Sequence, residues 1–179
     1  MSASVRSRRA WGWHPLTDEW AARIVADAAV RPGELVLDIG AGHGALTAEL
    51  VERGARVIAV ELHPARVRHL CWRFAGLPVT VVQADALSMR PPRRPFRVVA
   101  SPPYAITGPL LRLLLAPSSQ LTAADLVLQR AVARRYTGRP AGPGRWRHQW
   151  RLQMGRPLPR RAFRPAPRVD SAVLVVRRR

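Results

Sequence analysis

The 179-residue chain carries thirty basic residues, every one an Arg, against eleven acids, for a formal net charge of +19; its length suits one domain around a single core. Cys71 is the only cysteine, which excludes an internal disulfide and a cysteine-based zinc site and suits a reducing compartment. No uncharged apolar stretch approaches a membrane span and residues 1–15 lack the apolar segment of a secretory signal, so a cytoplasmic monomer with no membrane partner and no metal is expected.

In chain order, helix-like and strand-like segments alternate, which predicts an α/β fold with a mainly parallel sheet. "TDEWAARIVADAAV" (17–30) opens on a capping residue and two acids and sets Trp20, Ile24 and Ala28 on one face, as a helix does. "LVLDIG" (35–40) is a short buried strand that runs into a glycine-rich turn, and "ALTAELVERG" is a helix stopped by Gly54. A second strand, "RVIAVEL", is followed by a helix with Pro64 in its first turn, "PARVRHLCWRF", and by a third strand, "VTVVQAD". "FRVVA" is a fourth strand, "ITGPLLRLLLA" a helix, "AADLVLQ" a fifth strand and "RAVARRYTG" a short helix ending at Gly138. Segment 139–168 differs in kind, with nine Arg, six Pro, three Gly and no acid. Within it "RWRHQWRLQM" is compatible with a helix, the remainder with loops and an irregular edge strand. "SAVLVV" closes the chain as a last strand before "RRR".

Charge divides the chain into two unlike halves. Residues 1–85 carry ten Arg against nine acids, whereas 86–179 carry twenty Arg against Asp125 and Asp170 alone. A coding bias accounts for Arg replacing Lys, but not for the loss of acids after Asp85. A polyanion partner, most simply nucleic acid, is expected on the basic half.

Two constellations carry chemistry. Gly40, Gly42 and Gly44 follow the first strand directly, and Glu61 ends the second, 21 residues beyond Gly40. Glycines at such a turn let backbone approach a ligand, and a carboxylate there accepts hydrogen bonds from both hydroxyls of a ribose. The spacing is G-x-G-x-G, not the G-x-G-x-x-G of dinucleotide binders, so an adenosine-containing ligand is expected and a nicotinamide-dependent dehydrogenase is disfavoured. Asp85, ending the third strand, either reads an adenine amino group on the same rim or caps a turn, since "DALS" suits both.

The second constellation is "SPPY", Ser101 to Tyr104, at the tip of the fourth strand. Neither Pro102 nor Pro103 has an N–H, so the corner offers carbonyl acceptors without competing donors. Ser101 Oγ and the Pro102 carbonyl are placed to hold the two N–H bonds of an aromatic amine, and Tyr104 offers a face on which its ring stacks. An ordinary proline-rich turn with a half-buried Tyr is the structural alternative.

As an ordered set, "LDIGAGHGALT", "AVEL", "QADAL", "SPPYAIT" and "FRPAPRVDSAVL" resemble the ribosomal RNA adenine N6-methyltransferases, and within them most the Erm group, which modifies an adenine of large-subunit (23S) rRNA and confers macrolide, lincosamide and streptogramin B resistance. The small-subunit dimethyladenosine transferases share most of these motifs. The match runs from about Leu16 to Val176. It implies a Rossmann-like class I methyltransferase, a single domain over a mostly parallel seven-stranded sheet with an antiparallel edge. It further implies S-adenosylmethionine held by Gly40, Gly42, Glu61 and Asp85, a flipped adenine oriented by Ser101, Pro102, Pro103 and Tyr104, and Phe163 near the base's other face. Phe163 reads equally well as core filler beneath the edge strand.

Three departures from the family pattern stand out. Ser101 replaces the family's Asn, also where the donor is contacted, and shortens one acceptor. Trp13-His14-Pro15-Leu16 stands where the family has Gln-Asn-Phe-Leu against the methyl donor, leaving Leu16 matched and His14 as the replacement contact. Relatives continue into a small helical domain that grips RNA, and this sequence ends at Arg179. RNA binding is therefore expected of the catalytic domain itself: a basic N-terminal arm (1–16) with Arg6, Arg8 and Arg9, the 139–168 segment, and Arg177 to Arg179, with Trp11, Trp13, Trp146 and Trp150 as interleaved stacking residues. Burial is the alternative for those Trp, and His148, with no neighbouring ligand set, reads as solvated. The partner expected is 23S rRNA or a large-subunit precursor; a basic-protein nitrogen as acceptor, a ribosome-assembly factor and a small-subunit transferase are the other readings.

Overall fold

The computed structural model describes residues 14–138, 146 and 148–179. Its elements follow in the order α1 (Asp18–Ala28), β1 (Leu35–Ile39), α2 (Ala45–Glu52), β2 (Arg56–Glu61), α3 (Pro64–Arg73), β3 (Val79–Gln83), β4 (Phe96–Ala100), α4 (Thr107–Leu114), β5 (Leu121–Gln129), α5 (Arg130–Thr137), β6 (Trp150–Leu158) and β7 (Ser171–Arg178). Every helix and strand expected from the pattern through residue 138 is present, within a few residues at the ends.

The seven strands lie in the order β3-β2-β1-β4-β5-β7-β6. The pairings among the first five are parallel, whereas β7 runs antiparallel between β5 and β6. Successive strand residues point to opposite faces, and both faces are covered. Leu37, Val98 and Leu126 pack with Leu110, Leu111 and Leu114 of α4 in one apolar layer. Their neighbours Val36, Val99 and Val127 pack with Ile24 of α1 and Leu50 of α2 in the other. Two-sided burial explains why these strands read as continuous apolar runs.

Local signals set the helix ends. Ala29 stops α1 in a left-handed conformation, φ 50°, and His63 Nδ1 caps α3 by accepting from Ala65 N at 3.2 Å, with Pro64 in the first turn. Among the charges, Asp125 is 2 % exposed and receives a two-pronged pair from Arg177, 2.9 Å on each oxygen, while Arg97 reaches it at 3.7 Å and Glu34 at 3.2 Å.

The basic segment departs from expectation. Where a helix was compatible with "RWRHQWRLQM", residues from Trp150 onward form strand β6, hydrogen-bonded along β7 with a register shift between Met154 and Pro157. Spacing Trp146 and Trp150 four apart imitates a helical face, but both rings are buried, at 7 % and 2 %, in the core layer of α4. They are core residues, not the exposed stacking residues expected. Tyr136 lies over Trp146 at 6.1 Å between ring centroids, and the Arg178 guanidinium over Trp150 at 5.6 Å.

Candidate active site

Strand order reverses between β1 and β4, and at such a point loops part to leave a crevice at the carboxyl ends of the strands. Gly40 follows β1, Glu61 ends β2, Asp85 follows β3 and Ser101 follows β4, so four successive strand ends face one opening. Two cavities adjoin there and share His14, Gly40 and Ser101 as walls. One, largely apolar and about 740 Å³ counted to its open mouth, is bordered by Glu61, Asp85, Ser101, Pro102, Pro103 and Tyr104. The other, more polar, is bordered by Leu16, Asp38, Gly42, His43 and Arg73.

The glycine loop and the proline corner touch. Gly40 has φ +76°, and a Cβ there would stand 3.3 Å from Pro103 Cδ and 3.4 Å from Pro102 Cα. Backbone handedness and this close approach both require glycine. At Gly44, φ +86°, a Cβ would meet the Phe74 ring at 2.5 Å, so α2 and α3 close together only around a bare α-carbon.

Glu61 is 4 % exposed and already engaged by the chain. Its Oε1 accepts from Leu62 N and His63 N, its Oε2 from Gly42 N, all at 2.9 Å, and Arg66 lies 3.5 Å from Oε1. The carboxylate thus ties β2 to the glycine loop. Asp85 caps a turn, its Oδ1 accepting from Leu87 N at 2.9 Å, and it also borders the apolar cavity.

Asp38 has no place among the site residues expected from the sequence, although its acid stands in "LDIG" itself. It is 1 % exposed; Oδ2 accepts from Thr47 Oγ1 at 2.7 Å, and among the described residues Oδ1 has no hydrogen-bond partner. Burial pushes its pKa up to about 7, with the Thr47 bond opposing and the nearby Glu61 charge adding to the rise. A buried, unpartnered carboxylate oxygen bordering a polar cavity fits an ammonium group.

At the reaction corner, a single turn, Tyr104–Ile106, follows the two prolines. Ile106 N donates to the Pro103 carbonyl at 3.1 Å and Thr107 Oγ1 to the Tyr104 carbonyl at 3.0 Å, so the carbonyls beyond Pro102 are spent within the turn. The Tyr104 hydroxyl lies 2.6 Å from Ser171 Oγ at the start of β7. Burial lifts the phenol above its ordinary range and the Ser171 bond opposes this. The His14 ring lies 6.3 Å from that of Tyr104, tilted by 26°, and His14 Nδ1 is 3.0 Å from the Pro165 carbonyl.

Phe163 is elsewhere. It is 2 % exposed, bridges Leu16 in antiparallel fashion and belongs to the apolar layer of α1, bordering neither cavity. Arg177, expected to contact RNA, is committed to Asp125. Arg6, Arg8, Arg9, Trp11 and Trp13, with 139–145 and 147, lie outside the described residues. Among the described residues no group of three His, Cys, Asp or Glu is placed to hold a metal, and no helix is long and apolar enough to cross a membrane.

The chain matches the family model "Ribosomal RNA adenine dimethylase" over residues 5–179. It is 38 % identical to an rRNA adenine N-6-methyltransferase of Saccharopolyspora erythraea, across 97 % of this chain and 47 % of that protein. It is also 38 % identical to a ribosomal RNA small subunit methyltransferase A of Synechococcus, across 94 % and 68 % respectively. Among solved structures, the 23S rRNA methyltransferase ErmE superposes with a TM-score of 0.82 at 36 % identity, over 92 % of this chain and 69 % of that one. The chain thus spans about half the length of the first of these relatives. With glycine turn, acidic strand ends and proline corner gathered on one opening, it belongs to the ribosomal RNA adenine dimethylase family.

Proposed function

We propose that this protein transfers a methyl group from S-adenosylmethionine to N6 of an adenine in 23S rRNA, and thereby confers macrolide, lincosamide and streptogramin B resistance. The observation that carries this reading is the shared opening: Ser101, Pro102 and Tyr104 border the same cavity as Glu61 and Asp85, and Ser101 also borders the cavity of Asp38.

The residues suit the donor. Asp38 Oδ1 would take its ammonium group, Glu61 Oε2, which accepts only from Gly42 N among the bonds above, a ribose hydroxyl, and Asp85 the adenine amino group, with Leu16 and His14 closing the polar side. Bound, the donor supplies an electrophilic methyl on a sulfonium. Ser101 Oγ and the Pro102 carbonyl accept the N–H bonds of the target amine, whose lone pair is otherwise delocalised into its ring. Tyr104 stacks on that ring, and the apolar walls exclude water. Phe163, from within the core, packs with Leu16, which borders the polar cavity.

RNA is gripped by the exposed arginines of the basic half. Arg151, Arg161, Arg164 and Arg168 are exposed and form no ion pair among the described residues. With the other arginines of the 139–168 segment they serve as phosphate contacts, so binding weakens steeply as salt rises.

The test offers labelled methyl donor with naked 23S rRNA, intact large subunits, small subunits and a basic protein. Label in an adenine of 23S rRNA supports the proposal. Label confined to small subunits assigns the chain to the small-subunit branch, label in protein assigns a different acceptor, and RNA binding without transfer assigns an assembly role; each contradicts it.

A further inference from the structure

We infer that His14 is the second wall of the base-binding slot, stacking on the face of the target adenine opposite Tyr104. The inference deepens the proposed function and rests on its premise that a flipped adenine is the substrate.

Ring spacing is the first ground. Stacked bases lie about 3.4 Å apart, so a base held between two rings needs them roughly 7 Å apart. His14 and Tyr104 stand 6.3 Å apart between centroids, within 26° of parallel, and both border the apolar cavity. A breathing motion well under an ångström opens that separation to the required one. Phe163, by contrast, lies in the core with 2 % exposure and presents no face to the cavity.

Rigidity is the second ground. Since a carbonyl only accepts, His14 Nδ1 donates to Pro165 O at 3.0 Å, which fixes the orientation of the ring. Two backbone hydrogen bonds, which together make the antiparallel bridge between Leu16 and Phe163, hold the segment that carries it: Arg164 N donates to Pro15 O at 3.0 Å and Thr17 N donates to Ala162 O at 2.9 Å. Phe163 packs with Leu16 in the core beneath the short ladder on which the imidazole is mounted. Stacking suits a group that must receive an extruded base, because it needs only a flat face and no matched donor or acceptor.

The experiment uses the full chain and an RNA fragment containing the adenine that the wild type methylates, with 2-aminopurine substituted there for the fluorescence arm. In the wild type, a base sandwiched between two rings is quenched. His14→Ala, which leaves one face bare, and His14→Asn, planar but without an aromatic face, should both brighten the probe. Each should raise the KM for unmodified RNA by about tenfold or more, the range seen when a stacking side chain is removed. His14→Phe should restore both quenching and KM, and in His14→Ala and His14→Asn the loss of donor affinity measured by calorimetry should be smaller than the rise in KM for RNA. Equal quenching and KM in wild type and His14→Ala, or His14→Asn performing as well as His14→Phe, overturns the inference. So does a defect confined to donor affinity. Those outcomes leave the proposed function standing, whereas a wild type that methylates no rRNA adenine removes both.

Discussion

The Tyr104 hydroxyl and Ser171 Oγ lie 2.6 Å apart although 67 positions separate them in the chain. The contact joins the corner after β4 to the first residue of β7, where Ser171 is 1 % exposed and paired with Gln129 of β5 and Leu158 of β6. The Tyr104 ring, which borders the apolar cavity, is therefore held by the antiparallel end of the sheet.

Ser171→Ala leaves a partly buried hydroxyl without its partner, a loss of about 1 kcal/mol. We expect kcat to fall about fivefold with donor affinity unchanged. Tyr104→Phe should cost a similar factor, and the double variant little more than either single one, because both remove one interaction. Steady-state kinetics on the three variants checks this, and full additivity would show that the two groups act independently.

Ser101 stands where the family pattern has Asn, and it borders both cavities. Ser101→Ala removes an acceptor for the target amine and should lower kcat by about tenfold or more. Ser101→Asn lengthens the acceptor and should raise kcat. Single-turnover rates at saturating donor measure both effects; an alanine variant as fast as the wild type would remove Ser101 from the chemistry.

Asp38, with its pKa raised from 3.8 to about 7, makes a pH dependence opposite in sign to that of a salt-bridged acid. The folded state binds the proton more tightly than the unfolded chain, so stability is greatest below the unfolded value and falls as pH rises from about 4 to about 7, at about 1.4 kcal/mol per unit. Asp38→Asn should flatten that slope in chemical denaturation of the donor-free protein. Near pH 6.5 an ammonium placed beside Asp38 drives the proton off, so calorimetry in buffers of different ionisation enthalpy should register proton release on donor binding, and Asp38→Asn should abolish it.

Asp125 holds Arg177 and Arg97 inside the sheet. Replacing it with Ala removes the two-pronged partner of Arg177 and leaves Arg97 with Glu34 alone among the described acids, and should cost about 3 kcal/mol. Replacing Arg160, whose pair with Asp170 is exposed on both sides, should change stability by about 1 kcal/mol or less. Urea denaturation of the two variants tests the contrast.

The parallel part of the fold is legible in the sequence because β1, β2 and β4 are apolar on both faces and their connections end in turn residues. Gly40, Glu61, Asp85 and Tyr104 are legible as a site for the same reason: each follows or ends a recognisable strand. β6 is not, since Arg, Gly and Pro interrupt its alternation and only pairing along β7 makes it a strand. Burial of Trp146 and Trp150 depends on the same pairing. Ser171 as partner of Tyr104 arises from sheet register, which no local pattern encodes, and the placement of Phe163 under Leu16 arises from a bridge of distant segments. Asp38 carried a signal, an acid inside an apolar strand directly before the glycine turn.

Transfer of labelled methyl to a 23S rRNA adenine by the wild type and by Tyr104→Ala, with donor affinity measured on the same preparations, tests most directly whether one opening unites donor and base. We expect label at N6 in the wild type, a loss of about a hundredfold in the variant, and donor binding preserved in both. Undiminished transfer by Tyr104→Ala, or label on any other atom, would contradict it.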